Sequence, residues 1–302
     1  MKSNQKKDKT TLLVTGGNGH TGRLFFKELE EQHYRNKIKC VVRLNSNIEF
    51  LEQLNLNIDF CYGDLNNQSF LKNSLEDVQY VLNIAGINFS EEILKIGSKF
   101  FVEWFVCVHT TGRYSKYKSA ASGYIKIEDK LIKEYSNLTI LRPTMIYGSS
   151  SDHNIWKLIN YIHNHKIFPI FSSGKNLMQP VYAKDLAIAY CLVLANKDKT
   201  IGKQYNLSGK NQLTYKSLLK EVSSGLGKKT VFIHFPMWIS VTCAYIYNLI
   251  FKTSASISVE QVLRLQEDKV FPWNEAYKDF GYSPISFQDG IKIELAEFVE
   301  KN

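Results

Sequence analysis

The sequence predicts an α/β protein: a doubly wound parallel sheet followed by a smaller, mostly helical C-terminal lobe. Three observations carry this. Six short β-rich runs alternate with helical stretches up to Leu141. A glycine-rich loop joins the first run to the first helix. After about residue 150 the alternation stops and helical patterns dominate. Repeated β-α units require parallel strands buried on both faces.

The elements follow in order. Thr11–Thr15 reads as a short buried strand, and Arg23–Gln32 has helical periodicity. Lys39–Arg43 and Ile58–Tyr62 are the second and third β-rich runs, the latter ending in Gly63-Asp64. Tyr80–Ile84 ends in Ala85-Gly86, and Phe105–Val108 ends in His109-Thr110-Thr111-Gly112. Residues 118–135 read as a helix, and Leu138–Leu141 as the sixth strand. Beyond it, helices are expected over Asn154–His163 and Asp185–Ala195. Tyr205-Asn206-Leu207 is a short strand able to return to the sheet. The 302 residues are 44% hydrophobic and 22% charged, which excludes a polytopic membrane protein and a disordered chain.

The loop Gly16-Gly17-Asn18-Gly19-His20-Thr21-Gly22 is the strongest chemical signal. Gly16 permits the turn out of the strand, Gly19 a close backbone approach to a pyrophosphate, and Gly22 close packing of the helix. The helix N-terminus then offers N–H groups and partial positive charge to phosphates. This makes the sheet Rossmann-type and the chain a dinucleotide binder. Residues 1–175 are assigned to that domain, with 1–10 as a solvated tail, and 176–302 to a substrate-binding lobe. An acidic residue after the second strand would hold a ribose 2′-hydroxyl; Arg43 stands there instead and suits a 2′-phosphate. NADP is therefore expected, with NAD as the alternative.

With its GxxGxxG spacing the chain resembles the extended and atypical branches of the short-chain dehydrogenase/reductase superfamily, which include epimerases, dehydratases and NmrA-like proteins. Thr15–Gly22 is similar to the phosphate loop of that family, and Gly63-Asp64-Leu65 to its adenine-side motif. Ile84-Ala85-Gly86 is similar to the stretch passing the cofactor ribose. Arg142-Pro143-Thr144-Met145-Ile146-Tyr147-Gly148 resembles the block beside the nicotinamide, which places Pro143 there. Gln179–Leu186 resembles the block opening the substrate lobe. The resemblance implies cofactor contacts from Gly16, Asn18, Gly19, His20, Thr21, Gly22, Arg43, Gly63, Asp64, Leu65, Ala85, Gly86 and Pro143.

It also implies a Ser or Thr after the fifth strand and a Tyr-x-x-x-Lys dyad, the Tyr serving as acid/base. Thr111 matches the first. Tyr114 and Lys118 supply a literal dyad, but immediately after the strand. Counting back from Arg142-Pro143 puts the Glu of the family on Glu128, its Lys on Tyr124 and its Tyr on Ala120. Tyr124 lies 13 residues past Thr111, a suitable separation, but is followed by Glu128 where Lys is needed. Three outcomes stay open: Tyr114 with Lys118, Tyr124 with another cation, or loss of the dyad.

The net charge of +9 comes from 38 basic and 29 acidic residues, and only six of the basic ones are Arg. The Lys excess reads as a scattered soluble surface rather than a nucleic-acid face, which favours Arg. Five cysteines at wide spacings form no CxxC, so neither a disulfide framework nor a zinc site is implied, and no metal is expected. Cys40, Cys107 and Cys191 read as buried thiols. No apolar signal stretch follows the Lys-rich N-terminus, which gives a cytoplasmic setting as the expectation. His109, Arg264, Trp273 and Tyr282 are weaker candidates for ligand contact, and His153, His163 and His165 lack a persuasive metal-ligand spacing.

Val231–Phe251 is 21 residues without a formal charge, between Lys229 and Lys252. It reads as a buried helix of the second lobe. A peripheral membrane contact and a true span are its alternatives. The leading functional reading is an NAD(P)-dependent oxidoreductase or epimerase acting on a nucleotide-linked sugar or a related hydroxy/keto small molecule. The alternatives are a non-catalytic NADP-binding regulator or assembly protein, and a membrane-associated reductase of lipid-like substrates. A homodimer is compatible with the sequence.

Overall fold

The computed structural model describes residues 10–152, 154–251 and 259–301. Residues 1–9 of the expected tail and His153 lie outside them. The first part of the chain alternates: β1 (Leu12–Thr15), α1 (His20–Glu31), β2 (Ile38–Val42), α2 (Glu49–Glu52), β3 (Ile58–Tyr62), α3 (Gln68–Leu75), β4 (Tyr80–Asn83), α4 (Ser90–Gly97), β5 (Trp104–Val108), α5 (Lys118–Glu134) and β6 (Leu138–Pro143). Then follow β7 (Ile146–Tyr147), α6 (Ile155–Asn164), β8 (Ile167–Ile170), β9 (Leu177–Met178), β10 (Val181–Tyr182), α7 (Ala183–Ala195), α8 (Lys197–Thr200) and β11 (Gln204–Leu207). The C-terminal part adds β12 (Leu213–Thr214), α9 (Tyr215–Gly225), β13 (Val231–His234), α10 (Met237–Phe251), α11 (Val259–Leu263), α12 (Asn274–Phe280) and α13 (Phe287–Lys301).

The chain divides into two compact units interleaved in sequence: 1–109, 126–142 and 187–205 form one, and 110–125, 143–186 and 206–302 the other. This differs from a single cut at 175. The break follows the strand ends, because the chain leaves the sheet after β5 and after β6.

The first unit carries a seven-stranded sheet in the order β11-β6-β5-β4-β1-β2-β3. Pairing from β3 through β6 is parallel. The expected six strands are present, and β11 joins the edge beside β6. Strands buried on both faces need near-continuous apolar runs. Leu12–Val14 and Trp104–Val108 meet that need, every residue of both being buried.

The second unit has its own core. Tyr147, Ile155, Ile159 and Ile162 pack with Leu218, Leu219, Phe287, Leu295 and Phe298. Short strand pairs β7/β10, β9/β12 and β8/β13 tie its loops together.

Residues 231–251 depart from the expected single buried helix. Residues 231–234 form β13, paired in parallel with β8, and α10 begins only at Met237. Pro236 explains the break, since proline lacks an N–H and biases the residue before it away from helix. Among the described residues no helix is long and apolar enough to cross a membrane.

Glu294 of α13 is fully buried in the second core and forms no ion pair among the described residues. Burial, with the nearby Asp152 charge, pushes its carboxyl up to about 8. A carboxyl held above its unfolded value lowers stability as pH rises between those two values. Glu294→Gln is therefore expected to raise stability at pH 8 by on the order of 1–3 kcal/mol, with no gain at pH 4. Melting temperatures at both pH values check this; an equal gain at both would refute it.

Candidate active site

In the first unit the C-terminal ends of β1 to β4 converge. The strand order reverses between β1 and β4, where open sheets of this kind bind ligands. Gly16 has φ +73°, and a Cβ there would meet the Ala85 backbone at 2.7 Å, so the glycine loop lies directly against Ala85-Gly86. The Asn18 amide donates to the Asn47 carbonyl at 2.7 Å, fastening the loop to the segment after β2. The Gly63 N–H donates to the Val42 carbonyl at 3.0 Å and joins the ends of β3 and β2.

No side chain caps α1, and its first turn holds no acidic residue. That leaves the helix N-terminus suited to an anion. A Cβ on Gly19 would meet only the Gly16 carbonyl oxygen, at 3.2 Å. This cradle fits a dinucleotide pyrophosphate. Gly22 packs against the loop itself rather than the sheet, its Cβ position lying 2.2 Å from the Gly16 oxygen.

The other predicted cofactor residues divide by what their side chains do. Arg43 is exposed at the end of β2, and no described group pairs with its guanidinium. The Asp64 carboxylate accepts from the Asn66 backbone and amide, at 2.8 and 2.9 Å, so it holds its own turn. Leu65 packs against the core, and the Thr21 side chain is buried. His20 opens α1. Arg23 escaped the sequence reading. Its Nε donates to Asn18 Oδ1 at 2.9 Å, which puts a cation on the loop, and its guanidinium lies 5.7 Å from the Phe50 ring centroid.

A buried polar chain crosses this unit. Thr15 Oγ1 donates to Asn83 Oδ1 at 2.6 Å, and Asn83 Nδ2 donates to Ser90 Oγ at 2.9 Å. Ser90 Oγ bonds His109 Nε2 at 3.0 Å, and His109 Nδ1 bonds Glu128 Oε2 at 2.9 Å. Glu128 Oε1 accepts from Arg142 Nε at 2.7 Å, and Arg142 reaches Gln204. Burial pushes the Glu128 carboxyl up, but the His109 and Arg142 hydrogen bonds and the guanidinium charge bring it down to about 2. His109 is thus a structural residue bonded through both ring nitrogens.

The second unit holds a cavity of about 610 Å³. Thr111 and Tyr114 line it with Lys116, Arg264, Glu267 and Lys269. Thr111 Oγ1 donates to the Pro143 carbonyl at 3.1 Å, which locks the chain after β5 to the end of β6. The Tyr114 hydroxyl donates to Asn206 Oδ1 at 3.2 Å, and its ring lies against Phe271, centroids 5.1 Å apart. Glu267 accepts from Ser115 Oγ at 2.9 Å and from the Lys116 N–H at 2.7 Å, pinning the loop below Tyr114. Lys269 enters no ion pair among the described residues. Burial, then the Arg264 charge, pulls its ammonium below the usual lysine range. The charged run Glu267-Asp268-Lys269 looked like ordinary surface in the sequence, and only its fold against the Thr110–Tyr117 loop makes it cavity lining.

The dyad alternatives now separate. Tyr114 ends a 3₁₀ turn over Thr111–Tyr114, whereas Lys118 opens α5, so they are not neighbours on one helix face. The Lys118 side chain lies outside the described residues. Tyr124 sits on α5 with its ring against Gly112, next to Thr111. One turn further, where a Lys would stand, is Glu128, held by Arg142 and His109. Tyr147 and Tyr282 are buried core residues, and His163 and His165 pack on Phe298 and Tyr161. Cys40, Cys107 and Cys191 are buried thiols.

A glycine cradle at the switch point of a doubly wound sheet, with a separate polar cavity after β5, defines a dinucleotide-binding protein of the extended short-chain dehydrogenase type. The model of the NAD dependent epimerase/dehydratase family matches residues 12–105 and 108–208, and the chain belongs to that family. One curated relative is the N-acetyl-alpha-D-glucosaminyl-diphospho-ditrans,octacis-undecaprenol 4-epimerase of Escherichia coli O157:H7. It is 25% identical over 185 residues, 57% of this chain and 54% of that protein. Another is the mitochondrial NADH dehydrogenase [ubiquinone] 1 alpha subcomplex subunit 9 of Arabidopsis thaliana, 29% identical over 108 residues, 35% of this chain and 25% of that protein. The matches span about half or less of these relatives' lengths. Among solved structures, UDP-glucuronic acid 4-epimerase from Bacillus cereus, in complex with UDP-glucuronic acid and NAD, has a TM-score of 0.75. It is 17% identical, with 97% of this chain and 100% of that chain covered, and so shares the fold.

Proposed function

We propose that this protein is an NAD(P)-dependent epimerase or dehydratase acting on a sugar carried on a diphosphate. The single observation behind this is the second-unit cavity, which joins hydroxyl groups of Thr111 and Tyr114 to the cations Arg264 and Lys269. The two epimerases above are named for a diphospho-undecaprenol sugar and a UDP-sugar, and a sugar diphosphate is common to both.

Arg264 and Lys269 are suited to the diphosphate, because cations in a partly desolvated cavity attract it more strongly than in water. Thr111 already donates its proton to Pro143, so its oxygen is free to accept from a sugar hydroxyl. Tyr114 is the candidate acid/base and would take that hydroxyl's proton as the carbon becomes a ketone. A bound nicotinamide supplies the hydride acceptor and donor. The glycine loop, the α1 N-terminus and Arg23 would hold its pyrophosphate, and exposed Arg43 favours NADP over NAD.

With the purified protein, Tyr114→Phe should lower kcat on a UDP-hexose by about 10²–10⁴-fold while NADPH fluorescence still reports binding. Arg43→Asp should move the preference from NADPH to NADH. A second reading, a non-catalytic dinucleotide-binding subunit, is favoured by Glu128 occupying the turn where a dyad Lys would stand. Retained NADPH binding with no turnover on UDP-linked or lipid-diphosphate-linked sugars by the unmodified protein would decide for it.

A further inference from the structure

Strands β8 and β13 read Ile-Phe-Pro-Ile and Val-Phe-Ile-His. On a sheet with one packed face the outward residues are normally polar. Phe168, Ile170 and Phe232 point into the second core. The opposite face carries Ile167 beside Val231 and Pro169 beside Ile233. It is therefore apolar too, and Ile167, Val231 and Ile233 are exposed. The stacked rings of Phe171 and Phe235, 5.6 Å apart, carry this face onto the start of α10. There Trp238, Thr242 and Tyr245, at i, i+4 and i+7, form an exposed stripe, with Trp238 70% and Tyr245 58% accessible.

The two chain segments that contain these strands are one-sided in charge. Residues 153–184 and 222–259 contain seven Lys and no Asp or Glu. The β8–β13 pairing brings these two stretches together, the Val231 N–H donating to the Lys166 carbonyl at 2.8 Å. Lys166, Lys228 and Lys229 are exposed there. Three exposed lysines thus border this apolar, aromatic face. Beside it a cavity of about 510 Å³, lined by Lys175, Lys216, His234, Phe235 and Met237, shares Gln266 with the substrate cavity.

We infer that the β8–β13 face and the Trp238–Tyr245 stripe dock on an anionic lipid bilayer, and that the cavity at Gln266 admits a lipid-borne sugar diphosphate from it. The second part rests on the sugar-diphosphate reading above; the first does not. Trp and Tyr favour the membrane–water interface, and lysines at an anionic surface each add attraction. A neutral surface would give the lysines no partner, which is why the proposal commits to anionic lipid.

The test is co-sedimentation of the full chain with vesicles of phosphatidylglycerol and phosphatidylcholine, or of phosphatidylcholine alone, with neither sugar nor dinucleotide present. Binding is expected to the anionic vesicles only and to weaken with salt. Trp238→Ser combined with Tyr245→Ser should reduce partitioning at least about tenfold, and Lys228→Gln or Lys229→Gln about fivefold each. The substituted residues are exposed, so an unchanged melting temperature and NADPH binding should certify folding. No binding by the unmodified protein, equal binding to neutral vesicles, or binding indifferent to these substitutions overturns the docking. So does a dimer that dissociates in the double variant while the parent ignores vesicles, since a second copy would then cover the face. Substrate delivery is read separately: the double variant should keep turnover of a soluble UDP-sugar and lose at least about tenfold on a vesicle-borne lipid-diphosphate sugar. Equal turnover of both by parent and variant overturns delivery, whereas vesicle binding without turnover of any sugar overturns the enzymatic reading and leaves the docking standing.

Discussion

Gly22→Ala is expected to abolish measurable dinucleotide binding. The added Cβ would lie 2.2 Å from the Gly16 oxygen, 2.7 Å from the Gly17 oxygen and 2.8 Å from the Gly17 carbonyl carbon. All three are backbone atoms, so no side chain can rotate away. Either α1 tilts off the loop or the loop opens, and in both cases the N–H groups lose their aim at the phosphates. The strain should cost about 1–3 kcal/mol of stability, and NADPH affinity should fall at least about a hundredfold, equivalent to about 2.7 kcal/mol. Gly123→Ala is the control: nothing lies within 4 Å of its Cβ position, and it sits inside α5. It should be neutral or stabilising by up to about 1 kcal/mol. NADPH fluorescence and thermal melting read both variants. Unchanged binding in Gly22→Ala would remove the glycine loop from the cofactor site.

Glu128→Ala should be the most destabilising single change in the first unit. It leaves Arg142 and His109 buried beside an empty position, and orphaning a buried ion-pair partner costs about 3–5 kcal/mol. For a chain of this size that corresponds to a drop of roughly 6–15 °C in Tm. Removing both charges, as in Glu128→Met with Arg142→Met, should cost less than the sum of the single changes. The pH dependence has a definite sign. The folded carboxyl titrates near 2, below its unfolded value, so its contribution is complete above about pH 5 and fades as pH falls towards 2. Glu128→Gln should flatten that acid limb. A Glu128→Ala protein as stable as the parent would show the buried chain to be ornamental.

Much of the first unit was legible because its signals are local. Three apolar residues and a threonine, followed by glycines and a helical period, specify β1, the loop and α1 within about twenty residues. The run over 231–251 was misread for the opposite reason. It has apolar residues on every face, so no period distinguishes strand from helix, and pairing with β8 decided. Pro236 was the available signal. The catalytic ambiguity at Tyr114, Lys118 and Tyr124 came from motif spacing alone, which cannot show that the first two fall in different elements.

By itself the sequence determined the β-α alternation, the phosphate cradle and the family, since each depends on residues close together in the chain. Only tertiary structure decided which buried polar groups meet. His109, Glu128, Arg142 and Gln204 are distant in sequence and come together because β5, α5, β6 and β11 are neighbours in the fold. The same holds for Lys166, Lys228 and Lys229. They are countable in the sequence, but they come together only when β8 and β13 pair, because surface charge acts through distance in space and not along the chain.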